Sequence, residues 1–124
     1  MEKKICVKTI AMPSDANWHK TVYGGWIIST LIMGGAVLAR ESSKSDVICI
    51  GVKEAKVVKP LHVGDVVTCY GKLAEEKKAS MIIECEMFIS RNGEKEFLAA
   101  QGLFTYVPIS EDGKIQRTNS SKID

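Results

Sequence analysis

Net charge is nearly missing from this chain, whose 17 Lys and Arg against 15 Asp and Glu leave a formal +2 over 124 residues. So small an excess builds no polyanion-binding surface, and nucleic acid is not an expected partner. Cys6, Cys49, Cys69 and Cys85 form neither a CxxC pair nor the spacing of a zinc ribbon. His19 and His62 stand apart without a carboxylate cluster, so no metal centre is expected. Neither GxGxxG nor the GxxxxGKS or GxxxxGKT loop occurs, which removes the usual dinucleotide and P-loop readings. Lys3 and Lys4 are not followed by the apolar run and small-residue cleavage site of a secretory signal. Three of the thiols lie in apolar runs and read as small buried side chains in a reducing compartment, so the expected location is cytoplasmic.

What the chain does have is enough apolar residue, 45 %, for one packed core, and enough charge, 26 %, to keep its surface wet. One domain over residues 1–114 is expected, with residues 115–124 as a polar, flexible tail. Residues 21–39 carry no charge and approach the length of a membrane span. The glycine pairs inside that stretch and the strands around it favour a buried helix instead, and no membrane insertion is expected. Gly34 and Gly35 are poor helix formers, so the helix must pack closely against backbone there.

Residues 5–12 read as a first strand and residues 47–58 as a second, the latter stopped by Pro60 and the Val63-Gly64-Asp65 turn. In the third, Val67, Cys69 and Leu73 face inward while Thr68 and Lys72 face the other way. Glu75, Glu76, Lys77 and Lys78 read as a solvated connection. Met81, Ile83, Cys85, Met87 and Ile89 alternate with their neighbours, the clearest strand in the chain. Asn92-Gly93 supplies a tight hairpin, and a last strand over residues 97–107 is expected to stop at Pro108. The fold class is α+β, one long helix among antiparallel strands.

Candidate chemistry gathers before that helix. Backbone N–H groups at Gly24 and Gly25 can meet a carbonyl oxygen and hold the negative charge that acyl transfer develops on it. Glycine pairs also serve tight turns, so the structural role stands beside the chemical one. Asp15 suits a turn anchor or a helix-start acceptor, Asn17 can orient water or a carbonyl, and His19 can accept a proton. Trp26, Ile28, Met33 and Phe104 suit either a core or an acyl tunnel, and Arg91, Lys95 and Lys114 either solvation or phosphate attraction.

Ala11-Met12-Pro13, Asn17, Gly24-Gly25-Trp26 and Gly34-Gly35-Ala36 together resemble the short, single-hotdog acyl-CoA thioesterases. Val52, Pro60, Val63-Gly64-Asp65, the run Leu103-Phe104-Thr105-Tyr106-Val107 and Asp112-Gly113-Lys114 extend the likeness over residues 6–114. The resemblance implies a hotdog fold, a long central helix wrapped by a curved antiparallel sheet. It further implies hydrolysis of acyl-CoA at a dimer-interface site, with dimers gathered into a trimer of dimers. No cofactor is required, and coenzyme A enters as part of the substrate or product. Asn17 matches the family's active-loop asparagine, and Gly24 and Gly25 match the glycines at the helix start. Ser80 matches a residue near the CoA-binding loop, where the Lys77-Lys78 pair departs from the family's glycine-containing form but carries positive charge that can meet a CoA phosphate. Lys114 is a further candidate for phosphate contact on its charge alone. Ile32 falls where the resembling enzymes carry a helix aspartate, and Lys20 falls where they carry glycine. Asp15 or His19 would then have to supply the missing base; the alternative is a noncatalytic acyl-CoA-binding protein.

Overall fold

Strict alternation over residues 81–90 decides the middle of the molecule, since every second side chain there is driven to one face. The structure, a computed structural model, describes residues 3–116. In chain order it holds β1 (Lys4–Ile10), a single 3-10 turn (Pro13–Asp15), α1 (Gly24–Ser43), β2 (Asp46–Val57), β3 (Val66–Glu76), β4 (Met81–Ser90) and β5 (Phe97–Ile109). The strands form one antiparallel sheet in the order β1-β3-β4-β5-β2, so β1 and β2 are its edges. Helix α1 packs across one face and touches all five strands, which is the hotdog arrangement expected from the sequence.

The inner face carries the core. Val67, Cys69, Met81, Ile83, Met87, Ile89, Phe104 and Tyr106 are all buried there beneath Ile27, Leu31 and Leu38 of the helix. At about 25 cal/mol per Å² of apolar surface removed from water, this contact is what holds a glycine-containing helix in place. Lys44, in the left-handed conformation at φ 58°, ends the helix with its N–H on the Arg40 carbonyl. No helix among the described residues is long and apolar enough to cross a membrane.

Gly34 and Gly35 are where helix and sheet come closest. A methyl at Gly34 would sit 3.5 Å from Cys69 Cβ and 3.6 Å from Cys6 Cβ. A Cβ on Gly35 would press on the Tyr106 hydroxyl and stand 2.9 Å from the ring carbon Cε1. That hydroxyl donates a 2.6 Å hydrogen bond to the carbonyl oxygen of Ile32. Gly35→Ala is therefore expected to destabilise the fold by about 1–3 kcal/mol through overpacking, despite alanine's better helix propensity. Chemical unfolding of Gly35→Ala alone and combined with Tyr106→Phe checks this: part of the loss should return in the pair.

All four cysteines are unpaired, with Cys69 and Cys85 buried and Cys6 and Cys49 half-buried, all among the side chains of the inner face. Burial pushes the Cys69 thiol up to about 12, and raises Cys85 further.

Four sequence expectations need correction. Thr68 is buried, because on the outer face it lies between Lys8 and Phe88, where Tyr70, Phe88 and Lys3 form an aromatic and cationic cluster. Glu75 and Glu76 are not connection but the last residues of β3, paired with Ile82 and Met81. The first strand stops at Ile10 rather than Met12, where the 3-10 turn begins to form. Pro108 does not end β5: it pairs with Val47, beyond the last β4 partner at Tyr106, so its missing N–H faces a side that no named strand occupies. There its carbonyl accepts the Gln116 N–H at 2.7 Å, which ties down the beginning of the expected tail. Residues 117–124 of that tail lie outside the described residues.

Candidate functional site

Residues 12–23 leave β1 and return to the helix start as a loop held by its own polar atoms and, at Thr21 and Val22, by backbone pairing to His62 and Leu61. The Asp15 carboxylate accepts the Met12 N–H at 2.9 Å, and the Asp15 carbonyl accepts the Tyr23 N–H at 2.8 Å. Asn17 Oδ1 accepts the N–H of His19 at 2.8 Å and both the N–H and hydroxyl of Thr21 at 3.2 Å. This is the side-chain mimicry of a backbone turn for which asparagine is suited. Between them Lys20 takes a left-handed φ of 68°, a conformation easier for the glycine that the resemblance puts there.

The loop delivers the chain to Tyr23, extended at φ −61° and ψ 132°, and the helix begins at Gly24 with no side-chain cap. The N–H groups of Trp26 and Ile27 both turn back onto the Tyr23 carbonyl. Among the described residues, those of Gly24 and Gly25 have no acceptor. Both glycines are exposed, and a Cβ at Gly24 would meet nothing within 4 Å. The helix therefore opens on a bare pair of donors at its positive end, a place suited to an oxygen that gains negative charge.

Asp15, Asn17, His19, Gly24 and Gly25 thus share one corner. His19 is exposed and stacks on Trp18, ring centroids 3.6 Å apart, and Trp18 is itself 86 % exposed. Ser80, Lys77, Lys78 and Lys114 lie elsewhere. The Lys77 N–H bonds the Ser80 carbonyl at 2.8 Å in the turn after β3, and Lys77 Nζ is 3.7 Å from Glu75. Lys114 stands 3.9 Å from Asp112, past the end of β5. The helix start adjoins the beginning of β3, so in one protomer these groups are separated by the length of that strand, roughly 33 Å for eleven residues.

Helical spacing sorts the tunnel candidates. Gly34 faces Cys6, Val7 and Cys69, toward β1 and β3, whereas Gly35 faces Tyr106 on β5. Ile28 and Ile32 fall on the flank of Gly35, toward the β5–β2 side, and both are half-buried. Met33 is on the outward side at 53 % exposure, and Phe104 is fully buried in the core. Trp26 is half-buried against the core, and so Trp26, Ile28, Met33 and Phe104 do not line one channel within a protomer.

One pair of residues escaped sequence reasoning as part of the site's frame. Asp65, 2 % exposed, receives Arg91 Nε and Nη2 at 2.9 Å each, and its Oδ2 also accepts the His62 N–H at 2.7 Å. Arg91 is therefore committed to a carboxylate rather than free for phosphate. Burial works to raise the Asp65 carboxyl, but the Arg91 hydrogen bonds, the His62 N–H and the guanidinium charge outweigh it and hold the group below the usual carboxylate range. The stabilisation is complete above the unfolded value of about 3.9 and fades as pH falls through the lowered one. The Val63-Gly64-Asp65 turn, with Gly64 at φ +94°, was the available signal; its partner 26 residues on was not. Among the described residues no group of three His, Cys, Asp or Glu is placed to hold a metal.

Comparison with known proteins adds a context. A family model described as thioesterase superfamily matches residues 19–96. A protein of Haemophilus influenzae described as an uncharacterized acyl-CoA thioester hydrolase is 32 % identical, the alignment covering 97 % of this chain and 82 % of the relative. The crystal structure of a hexameric thioesterase from Yersinia pestis superposes with a TM-score of 0.89 at 31 % identity, over 93 % of this chain and 94 % of that one. A hexameric hotdog fold thioesterase of Campylobacter jejuni gives 0.89 at 30 % identity, over 95 % and 92 %.

Proposed function

This chain belongs to the thioesterase superfamily, and from that premise we propose that it hydrolyses acyl-CoA thioesters to free acid and coenzyme A. The observation that carries the reading is the bare pair of N–H groups at Gly24 and Gly25. A water oxygen attacks the thioester carbon, and the carbonyl oxygen takes up the electron pair. The two amides stabilise that oxyanion. Collapse breaks the C–S bond, and the CoA sulfur leaves as a thiolate that takes up the proton given up by the attacking water. Asn17 holds the loop in shape, while Asp15 and His19 are its candidate proton acceptors.

The complete site is assigned to a dimer. β2 is an edge strand, with Ile48, Ile50 and Val52 exposed along it and, among the described residues, one side of its backbone without a strand partner in the protomer. Antiparallel pairing of two such edges about a two-fold axis sets the far end of one protomer beside the near end of the other. That brings one chain's Ser80, Lys77, Lys78 and Lys114 toward its partner's Gly24 and Gly25, so the separation within a protomer becomes proximity between two. The hexameric relatives support a further gathering into a trimer of dimers. Sedimentation at micromolar concentration is expected to give a mass of two chains or a multiple of two. A single-chain mass overturns the shared site. Four unpaired thiols support a reducing, cytoplasmic setting.

A second reading, binding of acyl-CoA without turnover, is favoured by Ile32, which brings no proton acceptor to the flank where the resemblance expects aspartate. A panel of acyl-CoA chain lengths, with binding by calorimetry and CoA release by thiol titration, separates the two. Release above the buffer rate supports hydrolysis, and saturable binding without release supports the second reading.

A further inference from the structure

The loop bearing Asn17 and the helix start is fastened at both ends to one turn, residues 60–65. On the incoming side the Ala11 N–H bonds the Asp65 carbonyl at 3.0 Å, and the Gly64 N–H bonds the Ala11 carbonyl at 2.8 Å. On the outgoing side Thr21 bridges to His62, and the Val22 N–H bonds the Leu61 carbonyl at 2.8 Å. Gly24 follows two residues later. The turn in turn hangs on the Asp65 carboxylate, which binds the His62 N–H inside it and the Arg91 guanidinium outside it. Arg91 sits immediately after β4, and its Nη2 also reaches the Pro60 carbonyl at 3.4 Å.

We infer that Asp65 and Arg91 are positioning residues for the thioester site: the ion pair, whose carboxylate is buried and whose guanidinium is partly exposed, fixes the turn that sets the aim of the Gly24 and Gly25 amides. This inference rests on the proposed hydrolysis for its catalytic consequence, though not for its structural one. The chemistry suits the task, since a planar guanidinium meeting a carboxylate through two parallel hydrogen bonds fixes orientation as well as distance. Both atoms of the carboxylate are used, and the residue is sealed from water, so the pair has little freedom to rearrange. A loop of ten residues pinched at its base moves as one piece when that base moves. An oxyanion donor displaced by a fraction of an ångström loses most of its value.

The test uses the full chain and three variants: Arg91→Gln, Arg91→Lys and Asp65→Asn. Hydrogen exchange followed by mass spectrometry compares peptides covering residues 17–25 with peptides covering residues 81–90. In Arg91→Gln and Asp65→Asn, exchange over residues 17–25 should rise about tenfold or more while residues 81–90 stay within about twofold, the pattern of a local opening. Arg91→Lys keeps the charge and should recover part of the protection; it also serves if either neutral variant fails to fold. For the reaction, kcat should fall about tenfold with KM within about twofold, because the amides act on the transition state. Equal acceleration in both regions, or none over residues 17–25, overturns the inference. A wild-type chain that releases no CoA overturns the hydrolytic reading alone, and the exchange comparison still decides the positioning role.

Discussion

Replacing Gly24 by proline is expected to slow CoA release by about 10²–10³-fold, the usual cost of losing one oxyanion donor, while leaving the fold intact. Proline removes the N–H and little else here. The first position of a helix is where its fixed φ is welcome, because no intrahelical bond is lost. Tyr23, the residue before it, already has the extended ψ of 132° that a following proline demands. Open space surrounds the Gly24 Cβ position, so the ring meets no neighbour there. Gly24→Ala is the control: it keeps the N–H, improves helix propensity and should retain activity within about twofold. Steady-state CoA release and thermal midpoints for both variants decide the matter. If proline and alanine behave alike, the Gly24 amide is not the donor.

Ile32→Asp is expected to act in the opposite direction and raise CoA release by about 10²-fold, within the range that a well-placed general base supplies. Ile32 lies on the half-buried flank shared with Gly35, and its backbone is fixed by the Tyr106 hydroxyl on its carbonyl. A carboxylate introduced there occupies a defined place on the side of the helix that faces the β2 edge. The proposed pairing of β2 edges lies on the same side. Its partial burial costs about 1–3 kcal/mol of stability, which Ile32→Asn shares without gaining a base. The gain should appear in the aspartate variant alone and should grow with pH as the carboxyl ionises. Equal rates in the aspartate and asparagine variants would show that the absence of a carboxylate at this position does not limit turnover.

Much of the fold was readable because local signals agreed with each other. The alternation from Met81 to Ile89 fixed both the existence and the facing of β4, and all five inward residues are buried. Asn92 and Gly93 both take positive φ, as their residue types suggested. Pro108 misled because a local rule was applied to a position whose tolerance depends on which neighbouring strand has already ended. Thr68 misled because burial on the outer face comes from Phe88, Tyr70 and Lys3, side chains brought in by pairing rather than by sequence proximity. At the site, the glycine pair and Asn17 were visible as motifs, whereas the three hydrogen bonds that Asn17 accepts from its own loop were not. Arg91 read as a free surface charge for the same reason: its partner, Asp65, becomes a neighbour only after β3 and β4 have paired.

The thiols under α1 give the molecule an internal clock. Cys69 and Cys85 are sealed between sheet and helix and kept protonated, so an alkylating reagent reaches them only when the helix lifts. Cys6 and Cys49 are only partly buried and are expected to be captured sooner. The delay between the fast and slow pairs measures how often α1 leaves its groove, with no label engineered into the chain.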